Sequence, residues 1–175
     1  MVAVGITTEG KIIEFECSDI LYCWNNDLVS LEMPDGVKEV WCDDNKLTKL
    51  IIPESVIKLY CDNNLLTELI IPESVTRLRC DNNQITELII PNGVKEVWCN
   101  NNKLTELKLP EGVKNVFCEN NKLTELHIPK GVKDVWCYNN LLSELIIPES
   151  VKYLYCDKEV AGLEEFIGNI KIVLW

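Results

Sequence analysis

The chain has 175 residues, of which 47% are hydrophobic and 26% are charged. This share of apolar residues excludes a disordered tail, and no uncharged apolar run approaches the ~20 residues that a transmembrane helix needs. Acidic side chains outnumber basic ones by 28 to 17, so the net charge is −11. Because binding to phosphates needs a basic face, we expect one soluble domain with neither nucleic acid nor membrane among its partners.

Residues 1–17 predict an N-terminal β-hairpin cap. Two short apolar-rich runs, 2–8 and 11–16, flank a turn at Glu9 and Gly10. This segment lacks the basic and apolar regions that are typical of a secretory signal. The chain also has nine cysteines, an odd number. Together these features favour free thiols in a reducing cytoplasm.

From residue 18 to residue 156 the sequence repeats every 19 residues. Three residue types keep this spacing without an insertion: the prolines from Pro34 to Pro148, the asparagines from Asn26 to Asn140, and the cysteines from Cys23 to Cys156. Cys17 alone among the cysteines lies outside the register. Such regularity is typical of a solenoid, in which each repeat forms one coil that stacks on the next.

The repeat unit resembles the leucine-rich repeat. Its pattern LxxLxLxxNxL is matched in the second copy by Val37, Val40, Cys42, Asn45 and Leu47. Cysteine replaces the third leucine, and the unit is shorter than the usual ~20–29 residues. In this it is similar to the short repeats of bacterial effectors and of some protist and giant-virus proteins. The resemblance implies a β-rich solenoid with one parallel strand per coil, a convex side with little helix, and a concave strand face where ligands bind. For an effector or a viral protein, the cytoplasm would be that of a host cell.

The residues of one repeat support the same arrangement independently. Side chains alternate along a strand, so Val40 and Cys42 are predicted to point inward and Trp41 outward. Asn45 follows the strand, and its amide is expected to bond to backbone groups of neighbouring coils, as buried polar groups require. Pro53 favours an extended return segment, for which 19 residues leave no room for a helix.

Residues 157–175 predict a C-terminal cap. Here glutamates at 159 and 164 replace the asparagine and leucine of the repeat. Because an open solenoid exposes its core and its last strand edge, we expect a short helix at 159–168 and a final strand at 170–175, closed by Trp175.

No pattern in the sequence predicts catalysis, a cofactor or a metal site. The common nucleotide-binding, zinc-protease and hydrolase motifs are absent, and His127 is the only histidine. The cysteines form a linear ladder, whereas a thiolate metal site needs converging ligands. A file of glutamates on the return side is also a poor calcium cage, because calcium needs oxygens around it. We therefore expect a protein that is not an enzyme.

Ten of the thirteen aromatic residues fall at outward positions on or beside the strands. We define the aromatic stripe as the outward position that contains Tyr22, Trp41, Tyr60, Arg79, Trp98, Phe117, Trp136 and Tyr155. A neighbouring acidic file contains Asp43, Asp62, Asp81, Asn100, Glu119 and Asp157. Exposed apolar stripes often mark interaction sites, in which Trp, Tyr and Arg contribute most. The residues predicted to contact a ligand are the eight of the stripe together with Arg77 and Tyr138.

We expect a binding module that holds a protein or peptide on the concave aromatic stripe. Two alternatives stay open. One is a glycan-binding surface, in which aromatic rings stack on sugars and the acidic file takes their hydroxyl groups. The other is a structural or designed array without a ligand, in which the rings stack only on each other. A second apolar set, the isoleucine file of Ile51, Ile70, Ile89 and Ile146, is expected to serve packing or oligomer contacts.

Overall fold

A computed structural model describes residues 1–161 and 171–174 of the chain. These residues form twelve strands: β1 Val2–Thr7, β2 Ile12–Glu16, β3 Ile20–Tyr22, β4 Leu28–Glu32, β5 Glu39–Trp41, β6 Lys58–Tyr60, β7 Arg77–Arg79, β8 Glu96–Trp98, β9 Asn115–Phe117, β10 Asp134–Trp136, β11 Tyr153–Cys156 and β12 Lys171–Leu174. Over the described part of the chain, no helix is long and apolar enough to cross a membrane.

Nine of these strands form one parallel sheet in the order β12-β11-β10-β9-β8-β7-β6-β5-β3. Within the repeats, each residue pairs with the residue 19 positions later, as Val40 does with Leu59 and Trp41 with Tyr60. The prediction of a leucine-rich-repeat type solenoid, with one parallel strand per coil and no helix in the repeats, is confirmed.

The inward side chains of the coils form one continuous core. Val40, Cys42 and Leu47 are all fully buried, and so are their counterparts in the following coils up to Leu123. Trp41 lies on the outer side and is half-buried, as predicted. Burial of each valine or leucine side chain stabilises the fold by roughly 1.5–3 kcal/mol. Because these side chains are buried only when the coils stack, every coil depends on contact with its neighbours.

The repeated asparagines connect successive coils through buried hydrogen bonds. Asn64 Nδ2 donates to the carbonyl oxygens of Cys42, Cys61 and Asp62 at 3.0–3.2 Å. Asn64 Oδ1 accepts the backbone N–H of Leu47 at 3.0 Å. The amide therefore satisfies backbone groups of its own coil and of the preceding one, which confirms the predicted role.

The residue before each of these asparagines has a left-handed backbone, which the sequence analysis did not identify. The φ angles of Asn63 and Asn82 are both 54°, and the equivalent residues from Asn25 to Asn139 have φ between 53° and 57°. Asparagine and aspartate tolerate this conformation better than other residues with a side chain. In each pair the second residue, always asparagine, thus supplies hydrogen bonds, while the first, asparagine or aspartate, supplies the turn.

Each return segment closes with a tight turn that begins at the repeated proline. The backbone N–H of Val56 donates to the carbonyl of Pro53 at 3.1 Å, and the same bond recurs from Val75 to Pro72. Within the return segment Ile51 points outward and Ile52 inward, so the chain is extended as expected.

The N-terminal hairpin is part of a larger sheet than the sequence analysis predicted. Strands β1 and β2 pair antiparallel, and β4, from the first coil, pairs with the other edge of β1. Leu28 and Leu31 of β4 are the buried residues of this third strand. Gly5 permits the close approach, because a Cβ atom there would lie 2.7 Å from Leu28 Cδ2.

At the C-terminal end, β12 pairs in parallel with β11 and extends the sheet by one strand. The predicted helix at 159–168 and Trp175 lie largely or wholly outside the described residues. Within the described part of that segment, Ala161 forms an isolated parallel bridge with Glu144. The division of the chain at residues 17 and 156 stays a prediction.

Candidate functional site

The outer face of the parallel sheet brings together all ten residues that were predicted to contact a ligand. Strands β3 and β5 to β10 each have three residues, and the middle residue is buried while the outer two face away from the core. Arg77 occupies the first outward position of β7, and the aromatic stripe occupies the last outward position of each strand. Tyr138 follows β10 by two residues and lies beside the stripe.

At the N-terminal end of the stripe, neighbouring rings stack on each other. The ring centroids of Trp41 and Tyr60 are 3.9 Å apart, with an interplanar angle of 14°. Tyr22 is tilted against Trp41 at 6.3 Å. In-register parallel pairing places these rings on adjacent strands, where such contacts typically stabilise a sheet by ~0.2–1 kcal/mol.

Four more rings form a second stack toward the C-terminal end. Trp98 and Phe117 are nearly parallel, with centroids 5.0 Å apart. Trp136 meets Phe117 edge-on at 5.5 Å and is tilted against Tyr155 at 4.4 Å. All four side chains are half-buried, so each retains an accessible part of its ring.

The exposure of the stripe is uneven. Tyr22 is 58% exposed at the N-terminal end, whereas Tyr60 is only 6% exposed. Tyr60 lies under Trp41 on one side and is close enough to Arg77 for a hydrogen bond on the other. Its direct contact with a ligand stays a prediction, for which the ring offers little accessible surface. Trp24 and Tyr153, which were not in the predicted set, are 52% and 47% exposed on the same face.

Two arginines occupy the gap between the aromatic stacks. Both guanidinium groups lie over the Trp98 ring, Arg77 at 5.9 Å and Arg79 at 5.8 Å from its centroid. Arg77 also pairs with Glu96 at 2.6 Å. Arg79 pairs with Asp62 at 3.1 Å and Asp81 at 3.6 Å. A ligand would therefore meet arginines whose charges are already paired.

The acidic file is largely withdrawn from the surface. Asp62, Asp81 and Glu119 are only 7–8% exposed. Asp62 Oδ1 accepts the backbone N–H of Asp81 at 2.9 Å, and Asp81 Oδ1 accepts that of Asn100 at 2.8 Å. The Asp62 and Asp81 carboxylates connect adjacent coils, so they offer few free oxygens to the hydroxyl groups of a sugar.

Burial of these carboxyl groups changes their acidity. Desolvation is the main cause that raises the pKa of Asp62 to about 7, with the nearby Asp81 carboxylate adding to it and Arg79 opposing it. Desolvation also raises the pKa of Asp81 to about 6, against its backbone hydrogen bond and Arg79. The pKa of Glu119 is raised for the same reason. Asp62 and Asp81, at the centre of the sheet face, thus stay protonated up to a pH at which ordinary aspartates are ionised.

The cysteine ladder lies on the opposite side of the strands and is inert. Cys80 and Cys99 are fully buried, and desolvation raises the pKa of both thiols well above the usual value. The Cys80 thiol donates to the carbonyl of Trp98 at 3.4 Å. Over the described ranges, no three His, Cys, Asp or Glu side chains are grouped so that they could hold a metal ion.

Comparison with solved structures identifies similar solenoids in bacterial proteins. The leucine-rich-repeat domain of a Shigella effector has 25% sequence identity and a TM-score of 0.72, over 83% of this chain and 71% of that one. YopM from Yersinia enterocolitica WA-314 has 20% identity and a TM-score of 0.65, over 79% of this chain and 37% of that one. The functional domain of InlJ from Listeria monocytogenes, which includes a cysteine ladder, has 20% identity and a TM-score of 0.45, over 79% of this chain and 44% of that one.

No protein-family model matches the sequence, and no curated protein matches it either. The likenesses to the Shigella domain and to YopM nevertheless agree with the fold that the repeat pattern predicted. This chain spans little more than a third of the YopM chain.

Proposed function

We propose that this leucine-rich-repeat solenoid is a binding module that holds a protein or peptide segment along the outer face of its parallel sheet. The observation that carries the proposal is the row of half-buried rings from Trp98 to Tyr155, which continues to the more exposed Tyr153. Aromatic side chains contribute disproportionately to protein interfaces because each offers a large rigid surface for burial. The similarity to the leucine-rich-repeat domain of a Shigella effector supports an interaction role in general.

The two alternatives differ from this proposal in what they require of the face. A glycan site needs free polar groups beside the rings, whereas Asp62 and Asp81 are buried and already bonded to backbone N–H groups. A purely structural array needs only ring contacts, which the two stacks do provide. The binding proposal is favoured because Tyr22, Trp24 and Tyr153 are about half exposed on the same face.

The cytoplasmic location is also part of the proposal. All nine cysteines are unpaired, and eight of them are buried in the core. Free thiols persist most readily in a reducing compartment.

The proposal predicts that the outer face can be disabled without unfolding the protein. Substitution of Trp98, Phe117 and Trp136 by alanine is expected to abolish capture of the partner from a cell lysate, as measured by affinity capture with mass spectrometry. The ring contacts that are lost should cost about 0.5–1.5 kcal/mol per pair, which leaves the buried core to hold the fold. Circular dichroism should therefore keep the wild-type shape.

Two further variants separate binding from stability. Tyr22→Ala with Trp24→Ala removes exposed rings, so it should weaken capture while the melting temperature stays near that of the wild type. Lys108→Ala with His127→Ala changes exposed side chains on the return side and should leave capture intact. If all the aromatic variants capture the partner as well as the wild type does, the proposal is contradicted and the structural array is supported.

A further inference from the structure

The return side of the coils exposes a row of isoleucines that the core does not use. Ile51, Ile70 and Ile89 lie on three consecutive coils and are 74%, 81% and 75% exposed. The sequence analysis predicted packing or oligomer contacts for them. Within the described chain they do not pack, because most of each side chain lies in solvent. Contiguous apolar surface of this kind typically marks an interaction site.

Folding does not require isoleucine at these positions. In the fifth and sixth copies of the repeat, the same position holds Lys108 and His127, which are also exposed. The neighbouring Ile52 and Ile71 point inward and are 9% exposed, so they make the contribution to the core. The isoleucine file can therefore be changed with little expected loss of stability.

A groove between two of these coils has an apolar floor and an acidic border. Its volume is about 470 Å³, and its lining includes Ile70, Ile89, Glu68, Glu73 and Glu87. The groove continues onto the next coil, where a smaller cavity of about 220 Å³ again has Glu87 and Ile89 in its lining.

Carboxylates flank the isoleucine file on both sides. Two residues before Ile70 stands Glu68, and three residues after it stands Glu73. Glu87 precedes Ile89 and Glu54 follows Ile51 in the same way, whereas Lys49 precedes Ile51 and Asn92 follows Ile89. All four glutamates are exposed, and among the described residues none of them forms an ion pair. The surface is thus an apolar strip with glutamate on both sides of Ile70, and each border carries a net negative charge over the three coils.

We propose that the isoleucine file from Ile51 to Ile89 docks a basic amphipathic helix of a partner protein. Such a helix has an apolar stripe flanked by lysine or arginine, which complements the strip and its borders in both hydrophobicity and charge. Its pitch of ~5.4 Å is close to the ~4.8 Å spacing of adjacent coils, so successive turns can meet successive isoleucines. A second copy of this chain is a poor occupant, because two return faces would bring glutamates against glutamates.

The test uses a defined probe and the full chain. The probe is a fluorescein-labelled synthetic helical peptide with a leucine stripe between two rows of lysine, and the control peptide has glutamate in place of lysine. Binding is measured by fluorescence anisotropy. Wild-type protein is expected to bind the lysine peptide and not the glutamate peptide, and Ile70→Asn with Ile89→Asn should weaken binding at least about tenfold.

Two matched variants separate docking from general attraction between a basic peptide and an acidic protein. Lys108→Asn with His127→Asn changes the same position in other coils and should bind within about twofold of wild type. Glu68→Gln with Glu87→Gln should weaken binding more than Glu111→Gln with Glu149→Gln, although both pairs remove the same charge. Circular dichroism should show that every variant is folded.

Three results would overturn the proposal. Equal binding by all variants would mean that net charge alone attracts the peptide. Absence of binding by the wild type would exclude the helix as the occupant. Self-association of the wild type in sedimentation, lost in the isoleucine variant, would assign the surface to a second copy. Because this surface lies on the return side, its failure leaves the proposed role of the aromatic stripe untouched.

Discussion

Replacement of Asn83 by leucine is expected to lower the free energy of unfolding by roughly 3 kcal/mol, and to do so without any change at the outer face. Asn83 Nδ2 donates to the carbonyls of Cys61, Cys80 and Asp81 at 3.0–3.2 Å. Its Oδ1 accepts the N–H of Leu66 at 3.0 Å. Leucine has nearly the same size but leaves the buried Leu66 N–H without an acceptor, and an unsatisfied buried group of this kind costs ~1–3 kcal/mol. The three carbonyls each lose one of their donors, although Asn64, Asn102 and the Asn63 N–H still donate to them. Urea unfolding, followed by circular dichroism, measures the loss.

The preceding residue provides a matched control. Asn82 is exposed and has φ of 54°, a conformation that glycine adopts without strain. Asn82→Gly should therefore change stability by less than about 1 kcal/mol. The side chain of Asn26, at the end of the ladder, donates to the Trp24 carbonyl alone among the described residues, so Asn26→Leu should cost less than Asn83→Leu. An Asn83→Leu protein that is as stable as the wild type would show that the asparagine ladder does not hold the coils together.

Replacement of Arg79 by glutamine is expected to destabilise the protein strongly at neutral pH and weakly in mild acid. Arg79 neutralises Asp62 and Asp81, which are buried. Breaking a fully buried pair typically costs ~3–5 kcal/mol. Because the Arg79 side chain is 42% exposed, we expect about 2–3 kcal/mol at pH 7.5.

The direction of the pH dependence follows from the raised pKa values. Asp62 titrates at about 7 and Asp81 at about 6 in the folded protein, against 3.8 for an ordinary aspartate. Between pH 4 and pH 7 the folded state therefore holds more protons than the unfolded state, so stability falls as the pH rises through this range. Loss of Arg79 should raise both pKa values further and steepen the fall.

Melting temperatures measured between pH 4.5 and pH 7.5 test this expectation. Wild-type protein should be more stable near pH 5 than near pH 7.5. Asp62→Asn should flatten this dependence because asparagine does not titrate, while its amide oxygen can still accept the Asp81 N–H. Arg77→Gln is the control, since its surface pair with Glu96 is worth less than about 1 kcal/mol. Stability that rises from pH 5 to pH 7.5 in the wild type would show that Asp62 and Asp81 are charged throughout.

The sequence was sufficient to predict the features that depend on one repeat. Alternation of Val40, Trp41 and Cys42 determined which side chains enter the core, and the invariant asparagine position indicated a buried hydrogen-bonding role. Both follow from local geometry and from the requirement that buried polar groups be bonded. The 19-residue spacing then extended each conclusion to every coil.

Features that depend on neighbouring coils could not be predicted in the same way. Tyr60 and Trp41 occupy equivalent positions, but Tyr60 is buried because Trp41 stacks on it and Arg77 lies beside it. Asp62 is buried because the following coil supplies both an N–H from Asp81 and the guanidinium of Arg79. A periodic pattern shows which positions are equivalent, whereas burial at the surface of a solenoid depends on the particular residues above and below.

The central claim is that a partner lies on the outer face of the sheet, and site-specific photo-cross-linking tests it most directly. The photoreactive amino acid p-benzoylphenylalanine replaces Asn115, which is half-buried on that face in β9, or His127, which is exposed on the return side. We predict that the captured partner cross-links to position 115 and not to position 127. A cross-link from position 127 alone would contradict the proposed binding face.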